Sequence, residues 1–164
     1  MLALVYIFSF LFGLIIGSFL NTVIYRYNTG RTVGGRSKCL SCSHTLTWGE
    51  LIPVLSFVIQ GGKCAKCGSR FSIQYPLVEF LTAILFLAVS FKFWPATFDF
   101  VSFPTVLVAQ LIIYWFIMSV LMVIAVYDLR HKIIPNGMVY AFIIASAVLA
   151  WWQNPEAFLA GIYF

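Results

Sequence analysis

Residues 103–127 read FPTVLVAQLIIYWFIMSVLMVIAVY, without one charged side chain. About 20 consecutive apolar residues carry an α-helix across a bilayer, so Phe103–Tyr127 is long enough to span with tilt. Outward from it, three more stretches share the character. Met1–Tyr25 is uncharged throughout. Pro76–Trp94 is interrupted only by Glu79, one turn in, and Lys92 near its far end. Gly137–Trp152 is shorter and closes on Trp151 and Trp152, residues of the kind that sit at a membrane interface. Beyond Asn154-Pro155-Glu156, Ala157–Phe164 cannot span, and reads as the start of a fifth helix whose remainder is missing.

Composition gives the same reading. The 164 residues are 62% hydrophobic and 9% charged, with a mean hydropathy of +0.99. A soluble domain carries about a quarter charged residues, so lipid must cover what charge does not. No basic segment precedes the first apolar run, as a cleavable signal peptide would require; Met1–Tyr25 therefore reads as a retained span. The expected fold is an all-α integral membrane protein of four transmembrane helices plus the stub of a fifth. Its expected division is a first helix (1–25), a basic loop (26–75) and a helical remainder (76–164).

Net charge is +5, with ten Lys/Arg against five acids. Arg26, Arg31, Arg36, Lys38, Lys63, Lys66 and Arg70 lie in the first loop, and Arg130 and Lys132 in the 128–136 connection, whereas 92–103 holds only Lys92. The positive-inside rule places the first two in the cytosol. Basic loops beside spans meet anionic headgroups more often than nucleic acid, so the bilayer is the expected partner and nucleic acid is not. Leu51–Ile59 is too short to cross; it packs under the loop or lies on the membrane surface.

All four cysteines fall in the first loop, as Cys39-x-x-Cys42 and Cys64-x-x-Cys67. Each tight turn presents two thiolates, and two turns complete a tetrahedral Zn²⁺ site with no open position. Lys38, Lys63 and Lys66 offset the charge of such a centre. Redox dithiols and unligated thiols are the competing readings; a reducing cytosol disfavours stable disulfides. His44 is close enough to compete for the metal but is surplus to four cysteines.

Five acids can be weighed singly. Glu50, Asp99 and Glu156 read as solvated surface charges. Asp128 ends the third span, where the helix dipole disfavours a carboxylate. A functional acid, an interfacial charge held by Arg130 and a turn former all fit. Pro135 and Asn136 supply a break and an N-cap for the fourth span. Glu79 fits equally a snorkelling acid, a partner for Arg26, or a polar contact for substrate or cofactor. Gly13 and Gly17 form a small-xxx-small pair suited to helix packing. No His-Glu-x-x-His, Gly-x-Ser-x-Gly or phosphate-binding glycine loop is present.

Four landmarks in order resemble the bacterial prepilin peptidases: Gly17-Ser18-Phe19-Leu20-Asn21 followed by Arg26; the paired Cys-x-x-Cys loop; Tyr75-Pro76-Leu77-Val78-Glu79; and Asp128 through Pro135-Asn136, with Asn where many members have Asp. The resemblance covers nearly the whole chain. It implies a multi-pass protein of the bacterial inner membrane, an aspartic endopeptidase cutting the leader from type IV prepilins or pseudopilins at the cytosolic face. It makes Asp128 the first catalytic aspartate. It also implies, in bifunctional members, N-methylation of the new terminus with S-adenosylmethionine. The family's second aspartate lies in a Gly-x-Gly-Asp motif on a later helix, and no such motif occurs in these 164 residues. The expectation is a C-terminally incomplete peptidase; the alternative is a non-catalytic membrane scaffold whose zinc loop docks a partner. A membrane thiol–disulfide enzyme is a third reading.

Overall fold

A computed structural model describes residues 2–30, 32–93, 105–156 and 158. Asp99, Arg31 and most of the expected fifth-helix stub lie outside the described residues. The elements are α1 (Leu2–Arg26), a single 3-10 turn (Gly49–Leu51), α2 (Leu55–Ile59), α3 (Gln74–Phe93), α4 (Thr105–His131) and α5 (Asn136–Gln153). Among the described residues no strand forms, only two isolated bridges in the cysteine loop. The four long helices are each long and apolar enough to cross a membrane, and the protein is an all-α membrane protein as expected.

The ends of the helices follow local chemistry. Pro76 sits in the first turn of α3, where its missing N–H leaves no helical bond unmade. α4 runs past Tyr127 and stops at Lys132, whose φ is +57° and whose N–H bonds the Asp128 carbonyl at 2.7 Å. The N-cap of α5 is Pro135 rather than Asn136. Its carbonyl accepts the N–H groups of Met138 and Val139, so Asn136 is already helical.

The chain forms two compact units, Met1–Ala88 and Val89–Phe164. In the first, α1 and α3 run antiparallel in a fixed register. A Cβ built on Gly13 would stand 2.6 Å from Ala83 Cα, and one on Gly17 would stand 2.6 Å from Glu79 Cα. One turn further, Asn21 Nδ2 donates to the Tyr75 carbonyl at 3.1 Å. The glycines let the backbones meet, which is how small-residue stripes drive helix association in lipid. Ile24, Val78 and Phe86 are buried, while Leu4, Ile7, Phe8, Leu11, Ile15 and Phe19 point outward. Outward apolar side chains suit hydrocarbon, where each helix satisfies its own backbone.

In the second unit α4 packs on α5. Leu111, Trp115, Val120, Val123 and Tyr127 are buried, and Ile112, Phe116 and Leu121 face out. Gln153 Nε2 donates to the Tyr114 hydroxyl at 2.8 Å, and the Phe93 and Tyr114 rings meet at 4.5 Å.

Candidate metal centre and catalytic carboxylate

The loop between α1 and α3 begins with a clasp. Arg26 Nη1 lies 3.0, 3.1 and 2.7 Å from the carbonyls of Thr32, Val33 and Gly34. The guanidinium at the end of α1 thus folds the departing chain back on itself, rather than pairing with Glu79.

The two cysteine turns that follow are built alike, bond for bond. Cys39 N–H donates to the His44 carbonyl, Ser43 N–H to the Cys39 carbonyl, and Leu46 N–H to the Ser37 carbonyl. In the second turn Cys64 N–H donates to Ser69, Gly68 N–H to Cys64, and Phe71 N–H to Gly62. Bridges between Lys38 and Thr45 and between Lys63 and Arg70 complete the correspondence. The residue after each pair has positive φ, +57° at Ser43 and +70° at Gly68. Residues 37–46 and 62–71 are therefore a structural repeat that the sequence shows only as Lys-Cys-x-x-Cys.

These turns bring the four sulfurs together. Cys39 Sγ lies 3.8 Å from Cys67 Sγ, and Cys42 Sγ lies 4.0 Å from Cys64 Sγ. All four are within 4.8 Å of one another. Thiolates about 2.3 Å from a tetrahedral centre stand about 3.8 Å apart, so the donor set fits one metal ion. The close approaches run between the turns, as a shared centre requires. Ser69 Oγ adds contacts of 3.4 Å to Cys39 Sγ and 3.1 Å to Cys67 Sγ.

The thiols are tuned unequally. The Ser69 hydroxyl, with the backbone N–H groups of Cys42 and Ser41, brings Cys39 down to about 6. Ser69 also lowers Cys67. At Cys42 the His44 N–H favours the thiolate, but desolvation and the neighbouring thiols outweigh it and push the group up to about 11.

His44 occupies in the first turn the position of Ser69 in the second. It is outside the sulfur cluster, its Nε2 3.3 Å from Glu50 Oε2. Glu50 is more than a solvated charge. Its Oε2 accepts the Thr47 N–H at 2.8 Å and the Thr47 hydroxyl at 2.9 Å. Those two donors, then His44, hold its carboxyl below the ordinary carboxylate range. Nothing in the sequence besides Thr47-x-x-Glu50 signalled this contact.

Glu79 is buried, 7% exposed. Its carboxylate accepts the Val54 N–H at 2.7 Å through Oε2 and a hydrogen bond from the Ser18 side chain. Val54 has φ +60° and ψ −49°, and the Leu55 N–H reaches back to the Pro53 carbonyl at 2.6 Å. That is a γ-turn of the rare hand, strained for any side chain and most of all for a β-branched one. Beside it Asn21 is 1% exposed, and its Oδ1 has no partner among the described residues.

Asp128 lies in the second unit, in the last turn of α4 and half-buried. Among the described residues its carboxylate makes no hydrogen bond and no ion pair, with Arg130 or any other cation. The adjacent Tyr127 and His131 rings pack at 4.4 Å. The four cysteines thus converge on one point, Glu79 is committed to a turn of the loop, and Asp128 presents a carboxylate with no partner among the described residues.

Comparisons with known proteins extend this picture. The family described as the bacterial peptidase A24 N-terminal domain matches residues 11–93. The chain is 38% identical over 154 residues to a prepilin leader peptidase/N-methyltransferase of Myxococcus xanthus (strain DK1622), covering 93% of this chain and 42% of that protein. It is 37% identical over 163 residues to the like-named protein of Bacillus subtilis (strain 168), covering 94% and 61%. A type 4 prepilin-like proteins leader peptide-processing enzyme of Escherichia coli O78:H11 is 32% identical over 161 residues, covering 87% and 55%. The chain spans between 42% and 61% of the length of these relatives. No solved structure matches. Since the matched segment takes in both the close-packed helix pair and the whole paired-cysteine loop, the chain belongs to the bacterial peptidase A24 family, that of the prepilin leader peptidases.

Proposed function

We propose that the chain carries the N-terminal part of an aspartic endopeptidase that removes leader peptides from type IV prepilins or pseudopilins at the cytosolic face of the bacterial inner membrane. The observation that carries the reading is the half-buried Asp128 carboxylate at the end of a span, without a hydrogen-bond partner among the described residues, in a chain of this family. Two carboxylates sharing one proton can activate a water and protonate the leaving amine. Asp128 supplies one. The other belongs to the Gly-x-Gly-Asp motif, which is not among these 164 residues.

Cys39, Cys42, Cys64 and Cys67 would hold one Zn²⁺ as a closed structural centre, which contributes folding energy rather than chemistry. Glu79 has a lesser place in the proposal, as a polar contact for the substrate at the same face. The relatives' names also carry N-methyltransferase. By that analogy the freed N-terminal amine is methylated, S-adenosylmethionine supplying the methyl group when bound.

The competing reading is a non-catalytic membrane scaffold. Co-expression with a pilin precursor decides between them. With the protein produced from its own gene, cleavage is expected, and Asp128→Asn abolishes it while metal content stays unchanged. Cleavage retained by Asp128→Asn overturns the assignment of Asp128. No cleavage from the unaltered gene product favours the scaffold.

A further inference from the structure

Residues 51–62, from Leu51 to Gly62, contain no charged side chain, yet the loop around them is rich in charge. Leu55, Val58 and Ile59 share one face of α2 by helical spacing, and are 51%, 68% and 74% exposed. Ile52 and Trp48 extend the patch, Trp48 being 88% exposed. Neither the sulfur centre nor the peptidase chemistry uses these residues. Facing water, an aliphatic cluster of this kind is unfavourable.

Its depth is fixed by the contact to α3. Glu79 lies five residues into that helix, about 7.5 Å along its axis at 1.5 Å per residue. Gly17, packed against Glu79, lies about 13 Å before the end of α1 at Arg26 on the same rise. The bond from Val54 N–H to Glu79 Oε2 therefore ties the start of α2 to a residue inside both spans. A backbone N–H left unpaired in hydrocarbon is costly; here it has the carboxylate. Around the patch Arg36, Lys38, Lys63, Lys66 and Arg70 are all exposed, while Glu50, the loop's one acid, is turned to Thr47 and His44. That balance complements anionic headgroups.

We propose that residues 52–59 form a re-entrant foot seated in the lipid leaflet, with Leu55, Val58 and Ile59 at the headgroup–acyl boundary and the five cations among anionic headgroups. The occupant of the exposed face is lipid. Glu79 then positions the foot by satisfying the one backbone group its strained turn leaves open. The inference rests on the four long helices crossing a bilayer.

The test is photo-crosslinking in the full-length, metal-loaded protein, reconstituted in nanodiscs of phosphatidylethanolamine and phosphatidylglycerol. A benzophenone amino acid replaces Val58, Ile59 or Ile112 in turn, with retained metal as the check on folding. Lipid adducts are expected at Val58 and Ile59, as at the outward Ile112 of α4. Adducts at Ile112 but none at Val58 or Ile59 overturn the foot and leave the spans intact. Adducts from Val58 or Ile59 to a protein, including a second copy of this chain, overturn it as well. Absence of adducts at Ile112 removes the membrane reading on which the foot rests.

Discussion

Gly17 and Glu79, like Gly13 and Ala83, meet at the seam of α1 and α3: a Cβ on Gly17 would stand 2.6 Å from the Glu79 Cα. The atom it would meet is backbone, so the helices must part to accept it. Gly17→Ala is expected to cost about 1–3 kcal/mol, the usual penalty of overpacking, read as a lower thermal midpoint in detergent. Gly34→Ala, with nothing within 4 Å, leaves the midpoint unchanged.

Glu79 also clasps the Val54 turn, and two substitutions separate its roles. Gln keeps an oxygen for the Val54 N–H, whereas Leu leaves that donor unpaired at a cost of about 1–3 kcal/mol. Thermal melts should rank Glu79→Leu well below Glu79→Gln. If Glu79→Gln melts like wild type but raises KM for the precursor, the carboxylate also contacts substrate.

Val54 itself holds strain of about 1–3 kcal/mol in a region only glycine enters freely. Val54→Gly is expected to hold or raise the melting midpoint despite the lost side chain. A marked fall would mean that the valine's packing, not its backbone, dominates there.

Metal content tests the sulfur centre. About one zinc per chain is expected by mass spectrometry, with loss on changing any one of Cys39, Cys42, Cys64 or Cys67 to Ser. His44→Ala keeps the metal, since His44 faces Glu50. Loss of zinc from His44→Ala would reassign the ligand set.

Acidification tests the Thr47–Glu50 turn. Its folded carboxyl titrates below the ordinary value because Thr47 donates to it twice. The turn is therefore fully stabilised above the ordinary carboxylate range, and the contribution is lost as pH falls through the lowered value. Protection of the Thr47 amide, its exchange rate relative to the unstructured rate at the same pH, should fall over that window in wild type. In Glu50→Gln, whose amide oxygen still accepts the N–H but does not titrate, the step should be absent.

The spans were legible because lipid imposes one demand, an uninterrupted apolar run, and Met1–Tyr25, Pro76–Trp94, Phe103–Tyr127 and Gly137–Trp152 each meet it. The convergence of Cys39, Cys42, Cys64 and Cys67 was legible because a tight turn presents two thiols from one bend. Hidden from sequence was whatever depended on distant backbone. The match of residues 37–46 to 62–71 lies in hydrogen bonds that many sequences can make. Val54 carries no mark of its positive φ, and Glu79 showed only that it was costly, not which N–H it served. Glu50 looked like a surface charge because its partner Thr47 is three residues away on a turn that only the fold creates.

The paired turns also make the sulfur centre a buckle. Cys42 and Cys64 bracket the segment that holds α2, so an ion shared between them closes a ring of chain whose far side is the turn at Val54. Closing the ring removes conformations that an open strand would explore. Such an ion would hold that turn against Glu79 while touching neither. Chelation would then turn the ring into slack, and the turn would loosen from Glu79 before any helix melts.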